Sequence, residues 1–94
     1  RDLIEQLILK TAKKFRQDVK RLKKQSKDLN KLKEVIQLLT TNQKLDETYL
    51  DHSLKGDYIN CRECHVGPDW LLIYFIRGKY LNLARTGSHP ELFK

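Results

Sequence analysis

Residues 70–77 read WLLIYFIR. Apolar side chains stand at both parities of this stretch. Side chains alternate across a strand, so both faces of the segment are apolar and it reads as a central strand. A fold that contains it needs neighbouring strands on each side, and the flanking sequence supplies them. KYLNLART, after the Gly78-Lys79 turn, alternates as a further strand. DYINCREC, before a turn at HVGPD, reads as another.

The first half has a different period. LILK, residues 7–10, is short and β-prone. In TAKKFRQDVKRLKKQ, residues Ala12, Phe15, Val19 and Leu22 recur at helical spacing, with Thr11 as the expected N-cap. Asp28 is suited to cap a second helix whose apolar face is Leu29, Leu32, Val35, Ile36 and Leu39. Residues 42–56 read as a loop. The end, GSHPELFK, places Ser88 three residues before Glu91, a capping-box pattern for one short helical turn with Pro90 inside it. The order β-α-α-β-β-β predicts an α+β domain. Its antiparallel sheet carries a two-helix hairpin on one face.

Ninety-four residues leave room for one domain, expected over 7–94, with residues 1–6 as an extension. Net charge is +7. Lys13, Lys14, Arg16, Lys20, Arg21, Lys23 and Lys24 gather on the polar side of the first helix, which suits a polyanionic or acidic partner. No apolar run is long enough to span a membrane. Two cysteines make no disulfide framework, so a reducing cytoplasm is expected.

Those two cysteines lie in CRECH, residues 61–65, which matches the Cys-x-x-Cys-His pattern of haem attachment. The context is wrong for haem. On a strand Cys61 and Cys64 point to opposite faces, and the chain has no Met for an axial ligand. One Cys-x-x-Cys supplies only two of the four ligands of a structural zinc site, and His52 and His89 flank other elements. No metal or cofactor is expected.

The three histidines, His52, His65 and His89, each stand where a strand or loop ends. Asp69 flanks the turn after His65. Arg85 shares a strand face with Leu81 and Leu83 and is expected where the core opens to solvent. Such a set suits RNA cleavage, in which the 2′-hydroxyl attacks its own phosphate. A base removes the hydroxyl proton, an acid protonates the leaving 5′-oxygen, and a cation steadies the phosphorane. Trp70 and Phe93 offer faces for unstacked bases. The alternative is a non-catalytic basic module that binds RNA or protein.

DHSLKG, RECHVGPDWLLIY and RTGSHPELF, in that order and spacing, resemble the YafQ branch of the RelE-type toxins. These are bacterial type II toxin–antitoxin endoribonucleases. The resemblance is dense from Asp51 to Phe93 and looser over the helices. It implies a microbial-ribonuclease-like fold, cleavage of mRNA in the ribosomal A site, ribosomal RNA contacts through the basic helix, and a cognate antitoxin. It assigns catalysis to His52, His65, Asp69, Arg85 and His89, and substrate binding to Trp70 and Phe93. Within that set His89 is the expected acid and Asp69 or His52 the base, with His65 orienting or sharing that role.

Overall fold

The computed structural model describes residues 6–93. The expected extension at residues 1–6 therefore lies outside the described residues, apart from Gln6. Strand β1 (Ile8–Thr11) leads into helices α1 (Lys13–Lys24) and α2 (Leu29–Thr40). Strand β2 (His52–Ser53) is only two residues long, and β3 (Arg62–Gly67), β4 (Trp70–Arg77) and β5 (Tyr80–Gly87) follow. A one-turn helix α3 (His89–Leu92) ends the described chain.

The fold class is α+β, as the periodicities predict. The five strands form one sheet in the order β1-β5-β4-β3-β2, with β4 at its centre. The sheet is mixed rather than wholly antiparallel, because β1 pairs with β5 in parallel. The helical crossover between them makes that direction possible.

Both helices pack on the same face, α1 along β5 and α2 over β3. Phe15 and Leu22 of α1 and Leu32, Val35 and Leu39 of α2 are buried there. They meet Cys64, Trp70, Leu72, Tyr74, Leu81 and Leu83 from the sheet. Each such side chain contributes roughly 1.5–3 kcal/mol by leaving water. The helices thus share a core with the sheet more than a seam with each other.

The other face of β4 supports a smaller core. Leu71, Ile73 and Leu92 are buried, and Leu54, Tyr58, Cys61 and Ala84 cover them. Cys61 and Cys64 therefore do serve opposite faces. Burial drives the Cys64 thiol up to about 12, so it behaves as an inert apolar group.

Four local expectations change. Ala12, not Thr11, is the N-cap of α1. Thr11 stays in β1, where its hydroxyl and carbonyl accept from Arg16. Residues 56–58 form a 3-10 turn and Asn60 is left-handed, so the third strand starts at Arg62 and carries His65 and Gly67 within it. The loop at 42–56 contains another 3-10 turn, Glu47–Tyr49, and the short β2. Last, a bulge shifts β5 in phase. Leu83 pairs with Tyr74 but Arg85 pairs with Ile73, so Arg85 does not share a face with Leu81 and Leu83.

Candidate active site

The register sets most of the site. His52 stands opposite Glu63, Glu63 opposite Ile73, and Ile73 opposite Arg85. These four form one row across β2 to β5 on the face away from α1 and α2. The next row runs from His65 through Leu71 to Gly87. His52 and Arg85 are three strand spacings apart, about 14 Å. The histidines and the arginine thus ring the smaller core, with His52 and His65 on its β3 side and Arg85 and His89 on its β5 side.

Arg85 reaches back across the edge of β5. Strand β1 pairs only as far as Leu83, which leaves the rest of that edge without a strand neighbour. Asp18 of α1 fills the place. Its carboxylate accepts from Arg85 Nε at 2.7 Å, Arg85 Nη2 at 3.0 Å and the Thr86 N–H at 3.1 Å. Arg21 Nη1 donates to it at 2.8 Å, and Arg21 Nη2 donates to the Thr86 carbonyl at 3.0 Å. Burial pushes the Asp18 carboxyl up, but the bonds from Arg85, Thr86 and Arg21 outweigh it and hold the group below its ordinary range. The same bond to Asp18 raises Arg85.

Two of the three guanidinium nitrogens of Arg85 are thus committed to Asp18. The third, Nη1, turns toward the smaller core and donates to the Tyr58 hydroxyl at 3.3 Å. The Tyr58 ring meets the Phe93 ring edge-on, centroids 5.6 Å apart. Phe93 in turn lies 5.4 Å from the His89 ring, its neighbour one turn earlier. Arg85, Tyr58, Phe93 and His89 therefore form one chain of contacts.

His89 is held at the start of α3. The Ser88 N–H donates to Glu91 Oε1 at 2.8 Å in the capping box. That bond, with those from Gln25 and the charge of Arg21, lowers the Glu91 carboxyl to about 2. Arg21 also pairs with Glu91, Nε to Oε2 at 3.1 Å. Gly87 is needed for this closure, since a Cβ there would lie 2.5 Å from Arg21 Nη2 and 2.8 Å from Glu91 Oε1. Asp69, on the β3–β4 turn, accepts the His89 backbone N–H at 3.3 Å.

On the β3 side, His52 Nε2 lies 3.0 Å from Glu63 Oε1, and His52 Nδ1 lies 2.6 Å from the Leu50 carbonyl oxygen. Leu50 is in the left-handed conformation, φ 50°, at a cost of roughly 1–2 kcal/mol for a residue with a Cβ. His65 lines a cavity with Thr48, Tyr49, Leu50, Val66, Gly67 and Pro68.

Two expected roles change. Trp70 is buried, and its ring packs with Leu72 and the helix side chains. Its indole N–H donates to Thr86 Oγ1 at 3.0 Å, and the Thr86 hydroxyl donates to the Leu71 carbonyl at 2.8 Å. No face of Trp70 is free for a base, whereas Phe93 is 38% exposed. Arg21, expected on the outer basic face, is instead turned inward to Asp18 and Glu91. Lys13, Lys14, Arg16, Lys20, Lys23 and Lys24 remain exposed. Among the described residues no group of three or more His, Cys, Asp or Glu side chains is placed to hold a metal ion.

Asp18, Tyr58 and Glu63 were not foreseen. For Asp18 a signal exists. Positions 15, 18 and 22 follow helical spacing on the buried stripe, and a carboxylate on such a stripe requires a buried cation.

Residues 7–94 match the model of the family described as the bacterial toxin of type II toxin–antitoxin system, YafQ. The chain belongs to the YafQ toxin family. It is 45% identical over 80 residues to the mRNA interferase toxin YafQ of Escherichia coli K12, covering 84% of this chain and 87% of that protein. The crystal structure of YafQ from E. coli BL21(DE3) superposes with a TM-score of 0.89 at 40% identity, covering 95% of this chain and all of that one. YafQ in the E. coli DinJ–YafQ toxin–antitoxin complex superposes at 0.87 with 41% identity, covering 95% and 99%. On the sheet face opposite α1 and α2 stand His52 of the motif DHSLKG and Glu63 and His65 of RECH, whereas Ser53 and Arg62 share the face of Tyr74.

Proposed function

We propose that this chain is a ribosome-dependent endoribonuclease that cleaves mRNA in the A site and so halts translation in the cytoplasm. The observation that carries the reading is the arrangement of groups around the smaller core of a YafQ-type fold. Base candidates stand on one side, and a cation with an acid candidate stands on the other. In-line displacement at phosphorus needs that opposition, because the attacking 2′-oxygen and the leaving 5′-oxygen lie on opposite sides of the phosphorus atom.

In this reading His52 or His65 takes the 2′-hydroxyl proton. The 2′-oxygen bonds to phosphorus, and His89 gives a proton to the departing 5′-oxygen. The products are a 2′,3′-cyclic phosphate and a 5′-hydroxyl. Arg85 Nη1 attracts the phosphorane charge. Asp69 holds the backbone at His89, and Phe93 receives a base on its exposed face. No step is routed through a metal ion. The exposed lysines of α1 contact ribosomal RNA. The E. coli relative is known in complex with DinJ, and by that relation we assign this chain a cognate antitoxin partner.

The test is cleavage of a defined mRNA on programmed ribosomes, with free RNA as control and mapping of the 3′ ends. Cuts within the A-site codon that carry cyclic phosphates are expected. Ribosome binding without cleavage, across several A-site codons, would leave a non-catalytic basic module.

A further inference from the structure

We propose that Glu63 is a positioning residue that fixes the tautomer of His52, so that Nδ1 is the nitrogen that receives the 2′-hydroxyl proton. This inference rests on the ribonuclease reading above. The β2–β3 register places His52 and Glu63 directly opposite on one face. The Glu63 side chain is 4% exposed and that of His52 is 49% exposed. The edge of the imidazole that carries Nε2 therefore faces inward to a buried carboxylate, at 3.0 Å.

Nothing else competes for that edge. Glu63 Oε2 is buried and has no hydrogen-bond partner among the described residues. The neighbouring Asp51 is spent elsewhere, accepting from Arg62 Nε at 2.9 Å and from the Tyr74 hydroxyl at 2.6 Å. His65 stands two residues along β3 from Glu63 on the same face. Tyr58 and Cys61 cover the small core, and Arg85 lies at the far end of the row. A carboxylate accepts more strongly than a carbonyl, so Nε2–H to Glu63 is the bond that persists.

The Nδ1 edge is different. Its acceptor, the Leu50 carbonyl, belongs to an exposed turn residue held left-handed. Leu50 also lines the cavity that His65 lines. An incoming ribose hydroxyl replaces that carbonyl at Nδ1. Neutral His52, with its proton on Nε2, then takes the 2′-hydroxyl proton on Nδ1 as the 2′-oxygen attacks phosphorus. The resulting imidazolium stays paired with Glu63, and the 5′-oxygen leaves with the proton of His89.

The experiment is 15N spectroscopy of labelled histidine in wild type, Glu63→Gln and Glu63→Asp, together with single-turnover cleavage on programmed ribosomes. In wild type, neutral His52 carries its proton on Nε2. In Glu63→Gln the carboxamide donates to Nε2 and the proton moves to Nδ1. Cleavage falls at least about tenfold, in kcat rather than KM, and Glu63→Asp, which keeps the acceptor, retains more activity. In a His52→Ala background Glu63→Gln adds no further loss. A wild-type His52 protonated on Nδ1 alone, or a Glu63→Gln loss that persists undiminished without His52, overturns the proposal. The spectrum does not depend on ribosomes. Absence of cleavage by wild type would therefore sink the ribonuclease reading while the tautomer still decides whether Glu63 fixes His52.

Discussion

Asp18 and Arg85 form a two-point ion pair, Nε to Oδ2 at 2.7 Å and Nη2 to Oδ1 at 3.0 Å, that joins helix α1 to the edge of β5 where β1 has ended. The pair has a structural consequence and a functional one. It replaces missing strand hydrogen bonds, and it leaves Arg85 only Nη1, which also donates to the Tyr58 hydroxyl, to offer a phosphate. Asp18→Asn keeps the shape but strands the Arg85 guanidinium, whose side chain is only 17% exposed. The expected loss is about 3–5 kcal/mol of stability in denaturant unfolding, a large part of the roughly 5–15 kcal/mol typical of a domain. Full stability in that variant would show the pair to be incidental.

His89 is assigned to protonate the leaving oxygen, and a leaving group that needs no proton tests that directly. His89→Ala should lower cleavage of normal RNA by about 10²–10⁴. Its melting temperature should hold, since the His89 ring is exposed and the capping box uses Ser88 and Glu91. With a 5′-bridging phosphorothiolate at the scissile bond, the thiolate departs unaided and the variant should regain most of the wild-type rate. An equal defect on both substrates would remove His89 from that role.

Trp70 and Phe93 are both aromatic and both lie in the motifs, yet they should fail differently. Trp70→Phe removes the indole bond to Thr86 at the centre of the fold and should cost about 1–3 kcal/mol of stability, because the Thr86 hydroxyl loses a buried partner. Once folded, it should keep its KM. Phe93→Ala should leave stability nearly unchanged and weaken substrate binding by about 1–3 kcal/mol, the worth of one stacked base. Stability and KM measured on both variants separate the roles.

The contrast shows where sequence reasoning reaches. Helices α1 and α2 were legible because Phe15, Val19 and Leu22, then Leu32, Val35 and Leu39, keep a helical period that local sequence controls. Strand β4 was legible from its unbroken apolar run and the Ser88–Glu91 cap from its spacing, both of which are also local. The inward turn of Trp70 was not, because its partner Thr86 is sixteen residues away on another strand. The bulge at Ala84 changes the phase of Arg85 through pairing with β4, which no local pattern encodes. Strand β2 is two residues long and has no period at all, although it is what sets His52 against Glu63. The histidines themselves were found through their motifs, while Asp18, Tyr58 and Glu63 needed the tertiary register.

Acid should unfold the protein through Glu91 and Asp18. Glu91 is lowered from 4.5 to about 2, chiefly by the Ser88 N–H. A carboxylate lowered in the folded state contributes stability that is fully present above its unfolded pKa and is lost as pH falls through the folded one. The Glu91 contribution is therefore complete above about pH 4.5 and disappears toward pH 2. Glu91→Gln should cost about 1 kcal/mol at neutral pH, as expected for loss of a cap. It should also flatten the fall of the melting temperature between pH 4.5 and 2. An unchanged acid profile would assign the sensitivity to Asp18 alone.

The exposed lysines of α1 predict how ribosome binding responds to salt. Lys13, Lys14, Lys20, Lys23 and Lys24 are all exposed, whereas Arg21 is tied to Asp18 and Glu91. Each lysine that neutralises a phosphate releases counterions and steepens the dependence of affinity on salt by roughly 0.7–0.9 in a log–log plot. Lys20→Gln with Lys24→Gln should therefore reduce that slope by about 1.5 and weaken association, with the cleavage rate of bound ribosomes unchanged. Arg21→Gln should behave in the opposite way, losing stability through the Asp18 and Glu91 contacts while the slope stays the same. If Arg21 instead carried the salt dependence and the two lysines did not, the ribosome-facing surface would have to be moved from the outer face of α1 to the edge that meets α3.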